Sequence, residues 1–138
     1  MTVHPARVIS ETIDVDADTV YDFACAPDRL PLWASGLATG IRQEADGWFA
    51  ESPMGRIRVE MAPRNAFRVL DHDVTLPDGQ RFHNAMRITP SGNGCVAAFV
   101  LLRMPGVTDE AFENDAAHVA RDLGTLKALV ERGGGHPG

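Results

Sequence analysis

The sequence predicts an α+β fold in which a seven-stranded antiparallel sheet curves around one long C-terminal helix, with two short helices after the first strand. Three observations predict it. Residues 37–103 fall into short strand-like runs separated by turn signals. Residues 108–132 carry a single apolar stripe at helical spacing. The remaining helical signals are confined to residues 17–35, directly after the first strand.

Residues 7–15, RVISETIDV, alternate well enough to form the first strand, and Asp16 or Asp18 can cap a helix directly after it. Val20, Phe23 and Ala24 then recur at helical spacing until Pro27 closes the segment, before a second short helical piece, DRLPLWAS, at 28–35. Turn signals at Ala45-Asp46-Gly47, Pro53-Met54-Gly55, Pro63-Arg64-Asn65, Pro77-Asp78-Gly79 and Ser91-Gly92-Asn93-Gly94 divide the next stretch into six strands at about 37–44, 48–53, 56–62, 67–76, 80–89 and 95–103. After Pro105-Gly106, Thr108 is a good N-cap, and Asp109 and Glu110 suit the positive end of a helix dipole. Phe112, Ala116, Val119, Leu123, Leu126 and Val130 form the buried stripe, and Gly133 stops the helix after Arg132. Residues 1–132 are expected to form one domain and the closing GGGHPG, 133–138, a disordered tail. A strongly curved sheet cannot touch a straight helix along its whole length, so this helix-grip arrangement opens a pocket between the two.

A chain of 138 residues can bury roughly two-thirds of its unfolded surface and needs no staples. Cys25 and Cys95 lack CxxC spacing and sit in apolar surroundings, as small buried thiols do, and a reducing cytoplasm fits that usage. The first ten residues lack the basic and apolar regions of a signal peptide, and no run of about 18 apolar residues occurs, so neither export nor a membrane span is expected. The formal net charge of -6 opposes the phosphate attraction that dominates nucleic-acid binding. His4, His83, His118 and His136 show no metal-ligand spacing, and no Gly-rich phosphate loop, GxSxG elbow or Cys/His signature is present. No metal, no cofactor and no covalent catalysis are therefore expected. A monomer or small homodimer is the default.

The stretch VLDHDVTLPDG, 69–79, places three ionisable groups in a row on an otherwise apolar strand. Leu70, His72, Val74 and Leu76 share one face, and Phe82, Asn84, Met86 and Ile88 share a face on the returning strand. A three-residue loop at Pro77-Asp78-Gly79 sets Val74 opposite Phe82 and His72 opposite Asn84, whereas a two-residue loop would pair inner with outer residues. His72 and Asn84 thus form a small polar island in a wall of Leu70, Val74, Phe82, Met86, Phe99 and Leu101. The imidazole can exchange protons near neutral pH and the amide can hold a ligand oxygen; alternatively the two satisfy each other, or a buried water, inside a core. Asp71 and Asp73 face outward, towards Arg58, Arg68 or Arg87. On the helix, Phe112 and Val119 face inward, and Asp115 on their flank either reaches the pocket mouth or pairs with Arg103. Trp33 and Trp48 stand beside the expected opening, as channel walls or as core.

The segments TVYDFACAPDRLPLWASGL, DHDVTLPDG with NAMRI behind it, and RMPGVTDEAFENDAAHVARDLGTLKALVE together resemble the bacterial polyketide cyclase/dehydrase-like proteins of the START/Bet v 1-like (SRPBCC) superfamily. The resemblance covers nearly the whole chain up to Arg132. It implies a deep, mostly apolar cavity between sheet and C-terminal helix, entered near the two small helices. Relatives bind lipids, sterols, hormones or aromatic polyketides, and some catalyse cyclisation or dehydration. Carried over by position, it places Trp33 near the entrance, His72 on the sheet wall and Asp115 on the helix flank. Three functions are expected in order: binding of a hydrophobic or aromatic small molecule; a cyclase or dehydratase with His72 as general acid/base; and a protein-interaction module.

Overall fold

The structure, a computed structural model, describes residues 3–37 and 39–134. Seven strands, β1 (Ala6–Ile13), β2 (Arg42–Glu44), β3 (Gly47–Ser52), β4 (Gly55–Met61), β5 (His72–Thr75), β6 (Arg81–Ser91) and β7 (Gly94–Leu102), form one antiparallel sheet in the order β1-β7-β6-β5-β4-β3-β2. The chain lays down one edge first and then builds the meander back from the opposite edge. The segment between β1 and β2, with α1 (Ala17–Ala24), α2 (Leu30–Trp33) and flanking 3-10 turns at Pro27–Arg29 and Ser35–Leu37, carries it across. The long helix α3 (Asp109–Leu129), prolonged by a π-helical turn at Val130–Gly134, closes the fold. This is the predicted helix-grip architecture.

Local chemistry accounts for the element boundaries. Asp16 caps α1, its carboxylate accepting from the Thr19 amide at 3.1 Å and the Thr19 hydroxyl at 2.7 Å. Thr108 caps α3, accepting from the Ala111 amide at 3.1 Å. At the other end of α3, Lys127 donates to the Thr12 carbonyl and to Glu131, and Glu131 accepts from the Asp14 amide, which ties the helix terminus to the end of β1. Val20, Ile88, Leu126 and Val130, all fully buried, belong to one core between α1, the sheet and this half of α3. Gly133 and Gly134 of the expected tail belong to the π turn, and residues 135–138 lie outside the described part.

Two strands are shorter than the sequence pattern predicts. The strand expected at 37–44 is reduced to Arg42–Glu44, because the 3-10 turn at Ser35–Leu37 precedes it. The strand expected at 67–76 is reduced to His72–Thr75, because Asn65 organises the preceding residues into a loop. Its side-chain oxygen accepts from the amides of Phe67 and Val69, and its side-chain amide donates to the carbonyls of Pro63 and Val69. Arg68 adopts a left-handed φ of 59°, which no extended ladder admits. The register nevertheless survives: Val69 faces Arg87 and His72 faces Asn84, three residues on along each strand, so no bulge intervenes. Asp71 fills the interrupted ladder by accepting from the Met86 amide at 3.0 Å.

Candidate functional site

The hairpin of β5 and β6 has the register that the three-residue loop demands, with Val74 opposite Phe82 and His72 opposite Asn84. Gly79, at φ 91°, takes the left-handed position of that loop. Because side chains alternate along a strand, His72, Val74 and Asn84 face the concave side of the sheet, where α3 does not follow its curve. A cavity of about 300 Å³ opens there. His72, Val74, Asn84 and Phe99 form its sheet wall together with Ile57 and Val59 of β4. Val119 and Leu123 of α3 form the opposite wall, and Leu30, Trp33 and Leu37 close one end. The β3–β4 turn, Ser52-Pro53-Met54, lies at the rim, with Met54 62% exposed.

Polar groups on these walls are few and specifically held. The His72 ring nitrogen Nδ1 lies 3.0 Å from the Leu70 carbonyl. A carbonyl can only accept, so Nδ1 carries the proton and Nε2 is left as the lone-pair nitrogen of the neutral ring. Burial pushes the His72 pKa below its usual value of 6.5, which outweighs the Leu70 hydrogen bond and the charge of Asp71. Phe99 meets the imidazole edge-on, with ring centroids 6.3 Å apart. Trp33, only 6% exposed, has an indole N–H that is buried without a hydrogen-bond partner.

The helix wall ends in a second polar group. Ser35 Oγ lies 2.7 Å from both Asp122 Oδ1 and His118 Nε2, and the Ser35 amide reaches the same carboxylate at 3.3 Å. These three residue types suggest a nucleophilic triad, but the geometry excludes one. In a triad the carboxylate holds the ring nitrogen that the hydroxyl does not use. Here Asp122 approaches His118 at 3.8 Å on the same Nε2 that meets Ser35, and the serine proton goes to the carboxylate. The cluster is a tether between the 3-10 turn and α3 at the cavity mouth.

Of the residues expected at the site, Trp33, His72, Val74, Asn84, Phe99 and Val119 meet around one cavity. The others lie elsewhere. Leu70 and Met86, each 2% exposed, are core residues beyond the cavity. Phe82 and Leu101 are half-buried outside the lining, as is Trp48. Phe112 is buried at the start of α3 beneath two guanidinium groups, with Arg7 and Arg103 at 5.1 and 5.7 Å from its ring centre. Asp115 is exposed and outside the lining, and Arg103 pairs with Asp109 at 2.6 Å instead. Asp73 faces outward but engages His83 at 2.6 Å, and His83 lies 3.6 Å from Asp71 on its other side. None of the expected arginines is their short-range partner: Arg68 pairs with Asp18, and Arg58 bonds the Asp46 carbonyl. Sequence reasoning missed Ser35, His118 and Asp122. The i, i+4 spacing of the last two, flanking Val119 and Leu123, was the available signal.

No protein-family model and no curated protein matches the sequence. Solved structures do match in fold. Ara h 8.0201 superposes with a TM-score of 0.68 at 10% identity, over 94% of this chain and 99% of its own. A START superfamily protein from Mycobacterium smegmatis gives 0.64 at 13% identity, over 94% and 99%. DynU16, from the dynemicin biosynthetic locus, gives 0.69 at 15% identity, over 93% of this chain but 48% of DynU16. The chain therefore has the START/Bet v 1-like fold that its sequence resembles. Among the described residues, no helix is long and apolar enough to cross a membrane, and no cluster of His, Cys, Asp or Glu is arranged to hold a metal ion.

Proposed function

We propose that this protein binds an apolar or aromatic small molecule in the cavity between the sheet and α3. The observation that carries this reading is the cavity itself: about 300 Å³ of space with predominantly apolar walls and a small number of placed polar groups. Burial of the ligand's apolar surface supplies the affinity, and His72 and Asn84 orient one of its oxygens. START and Bet v 1-like neighbours in fold support the reading without specifying the ligand. The test is a native mass spectrum of freshly purified protein, followed by denaturation and identification of any released compound. The expected result is a stoichiometric apolar or aromatic adduct, or uptake from a panel of sterols, fatty acids and aromatic polyketides. The absence of both adduct and uptake refutes it.

One observation favours a second reading, a cyclase or dehydratase. The neutral His72 ring, with Nδ1 committed to Leu70, has Nε2 free to take a proton next to a ligand carbonyl while Asn84 steadies the resulting enolate. On that reading His72→Ala abolishes turnover and leaves binding nearly intact. The interaction-module alternative has the acidic surface and a short apolar stripe, Val8, Val100 and Leu102, on the outer face of β1 and β7 in its favour, and neither specifies a partner.

A further inference from the structure

We infer that the cavity selects a ligand bearing a hydroxyl group, phenolic or alcoholic, which donates a hydrogen bond to His72 Nε2 and accepts one from the Asn84 side-chain amide. The inference rests on the binding reading above and deepens it, from an apolar or aromatic molecule to a hydroxylated one. Its first support is the tautomer of His72. Nδ1 carries the proton because its neighbour at 3.0 Å, the Leu70 carbonyl, can only accept, so Nε2 of the neutral ring holds a lone pair. Burial keeps that ring neutral against the pull of Asp71 and Asp73. Neither carboxylate lines the cavity: Asp71 accepts from the Met86 amide and Asp73 engages His83. Among the described residues, no group bonds Nε2 or the Asn84 side-chain amide, although both residues line the cavity. Neither group is sealed in the way the Trp33 indole nitrogen is, so a bound molecule can reach them.

The second support is placement. His72 and Asn84 stand directly opposite each other on β5 and β6. The Cβ atoms of such a pair lie about 5 Å apart, close enough for one oxygen to engage both side chains. A hydroxyl matches that pair, because its proton goes to Nε2 and its oxygen accepts from the Asn84 amide. A ketone or an ether only accepts; it pairs with Asn84 and strips Nε2 of water without replacing the bond. The other polar side chains of the lining are engaged among themselves. Ser52 donates to the Gly55 carbonyl and accepts from the Met54 amide. Ser35 gives its proton to Asp122, so it can only accept from His118 Nε2, and that imidazole and carboxylate stand 3.8 Å apart at the mouth. Nε2 of His72 and the amide of Asn84 are thus the pair that a ligand must complete.

A matched set of bicyclic probes tests this on the intact protein by isothermal titration calorimetry, with protein titrated into dilute probe. The set is 2-naphthol, 2-methoxynaphthalene, which keeps the oxygen and loses the donor, and 2-methylnaphthalene, which matches the hydroxyl in size and has no polar atom. The expected result is 2-naphthol tighter than either of the others by at least about fivefold. His72→Phe keeps an aromatic wall and removes the acceptor nitrogen; it brings 2-naphthol down to the level of 2-methoxynaphthalene. A readout on the unaltered protein is the nitrogen resonance of His72 Nε2, assigned by its loss in His72→Phe. It moves upfield on adding 2-naphthol, as a ring nitrogen accepting a hydrogen bond does, and stays in place with 2-methylnaphthalene. Equal binding of 2-naphthol and 2-methoxynaphthalene, or an unmoved Nε2 resonance with 2-naphthol bound, overturns the inference and leaves the binding reading standing. Failure of every probe removes the inference, and if the native mass spectrum and the uptake panel are also empty, the binding reading falls with it.

Discussion

Two leucines on α3, three residues apart, provide a test of the cavity that needs no ligand. Leu123 is 1% exposed and lines the cavity; Leu126 is fully buried and does not. Truncation to alanine removes the same three carbon groups from each, a transfer loss of about 2.4 kcal/mol at roughly 0.8 kcal/mol per group. The difference lies in the space left behind. At Leu126 the surroundings are packed on all sides, and a residual void of roughly 70 Å³ adds about 1.7 kcal/mol at about 24 cal/mol per Å³. At Leu123 one side already lacks packing partners, so only about half of that addition applies. Leu126→Ala should therefore cost about 4 kcal/mol and Leu123→Ala about 3 kcal/mol. Urea unfolding followed by circular dichroism, with the slope shared across variants, resolves a gap of that size. If Leu123→Ala costs as much as Leu126→Ala, α3 bears on a filled core at that turn and the cavity is refuted.

Two further outcomes concern the site and its support. For His72, burial holds the folded-state pKa below the unfolded value of about 6.5. Above that pH the ring is neutral in both states; as pH falls below it, the unfolded chain takes up a proton that the folded chain resists, so stability drops. The stability of the wild type minus that of His72→Gln, measured by urea unfolding between pH 7.5 and 5, should shrink as pH falls, and a constant difference would contradict the buried neutral ring. Asn65→Ala removes four hydrogen bonds from the loop that leads into β5, a loss of about 2–4 kcal/mol at roughly 0.5–1 kcal/mol each. Amide exchange at Phe67 and Val69 should accelerate with it; unchanged exchange would show that the left-handed Arg68 turn holds without Asn65.

How much is legible in the sequence depends on the range of the interaction. Alternation and turn chemistry act within a hairpin, so the facing pair His72 and Asn84 can be derived from Pro77-Asp78-Gly79 and the apolar pattern alone. The same register also sets Asp73 opposite His83, yet weighing charge type above cross-strand position assigns that aspartate to arginines. The start of β5 escapes apolar patterning because a side chain, Asn65, supplies the bonds that a ladder otherwise would, and the pattern does not register such bonds. Phe112 shows the limit of a helical stripe: the spacing says that a residue is buried, not whether sheet, cavity or guanidinium covers it. Ser35 meets His118 and Asp122 across more than eighty positions, a tertiary contact with no local trace.

The division of α3 into two environments explains how one helix can both stabilise the fold and leave a site open. Its last turns, with Leu126 and Val130, are packed into the core and are tied to β1 through Lys127 and Glu131. Its middle turns present Val119 and Leu123 to the cavity and hold the α2 segment through the Ser35 tether. Packing energy is thus concentrated at one end, where sheet and helix converge, and a hollow remains where the two diverge. Leu70 and Met86, although not in the lining, share the face of His72 and Asn84 and pack in the core beside them. Substitutions at Leu70 or Met86 should therefore act on binding only through stability, whereas those at His72 and Asn84, half-buried on the cavity wall, should change which ligand binds.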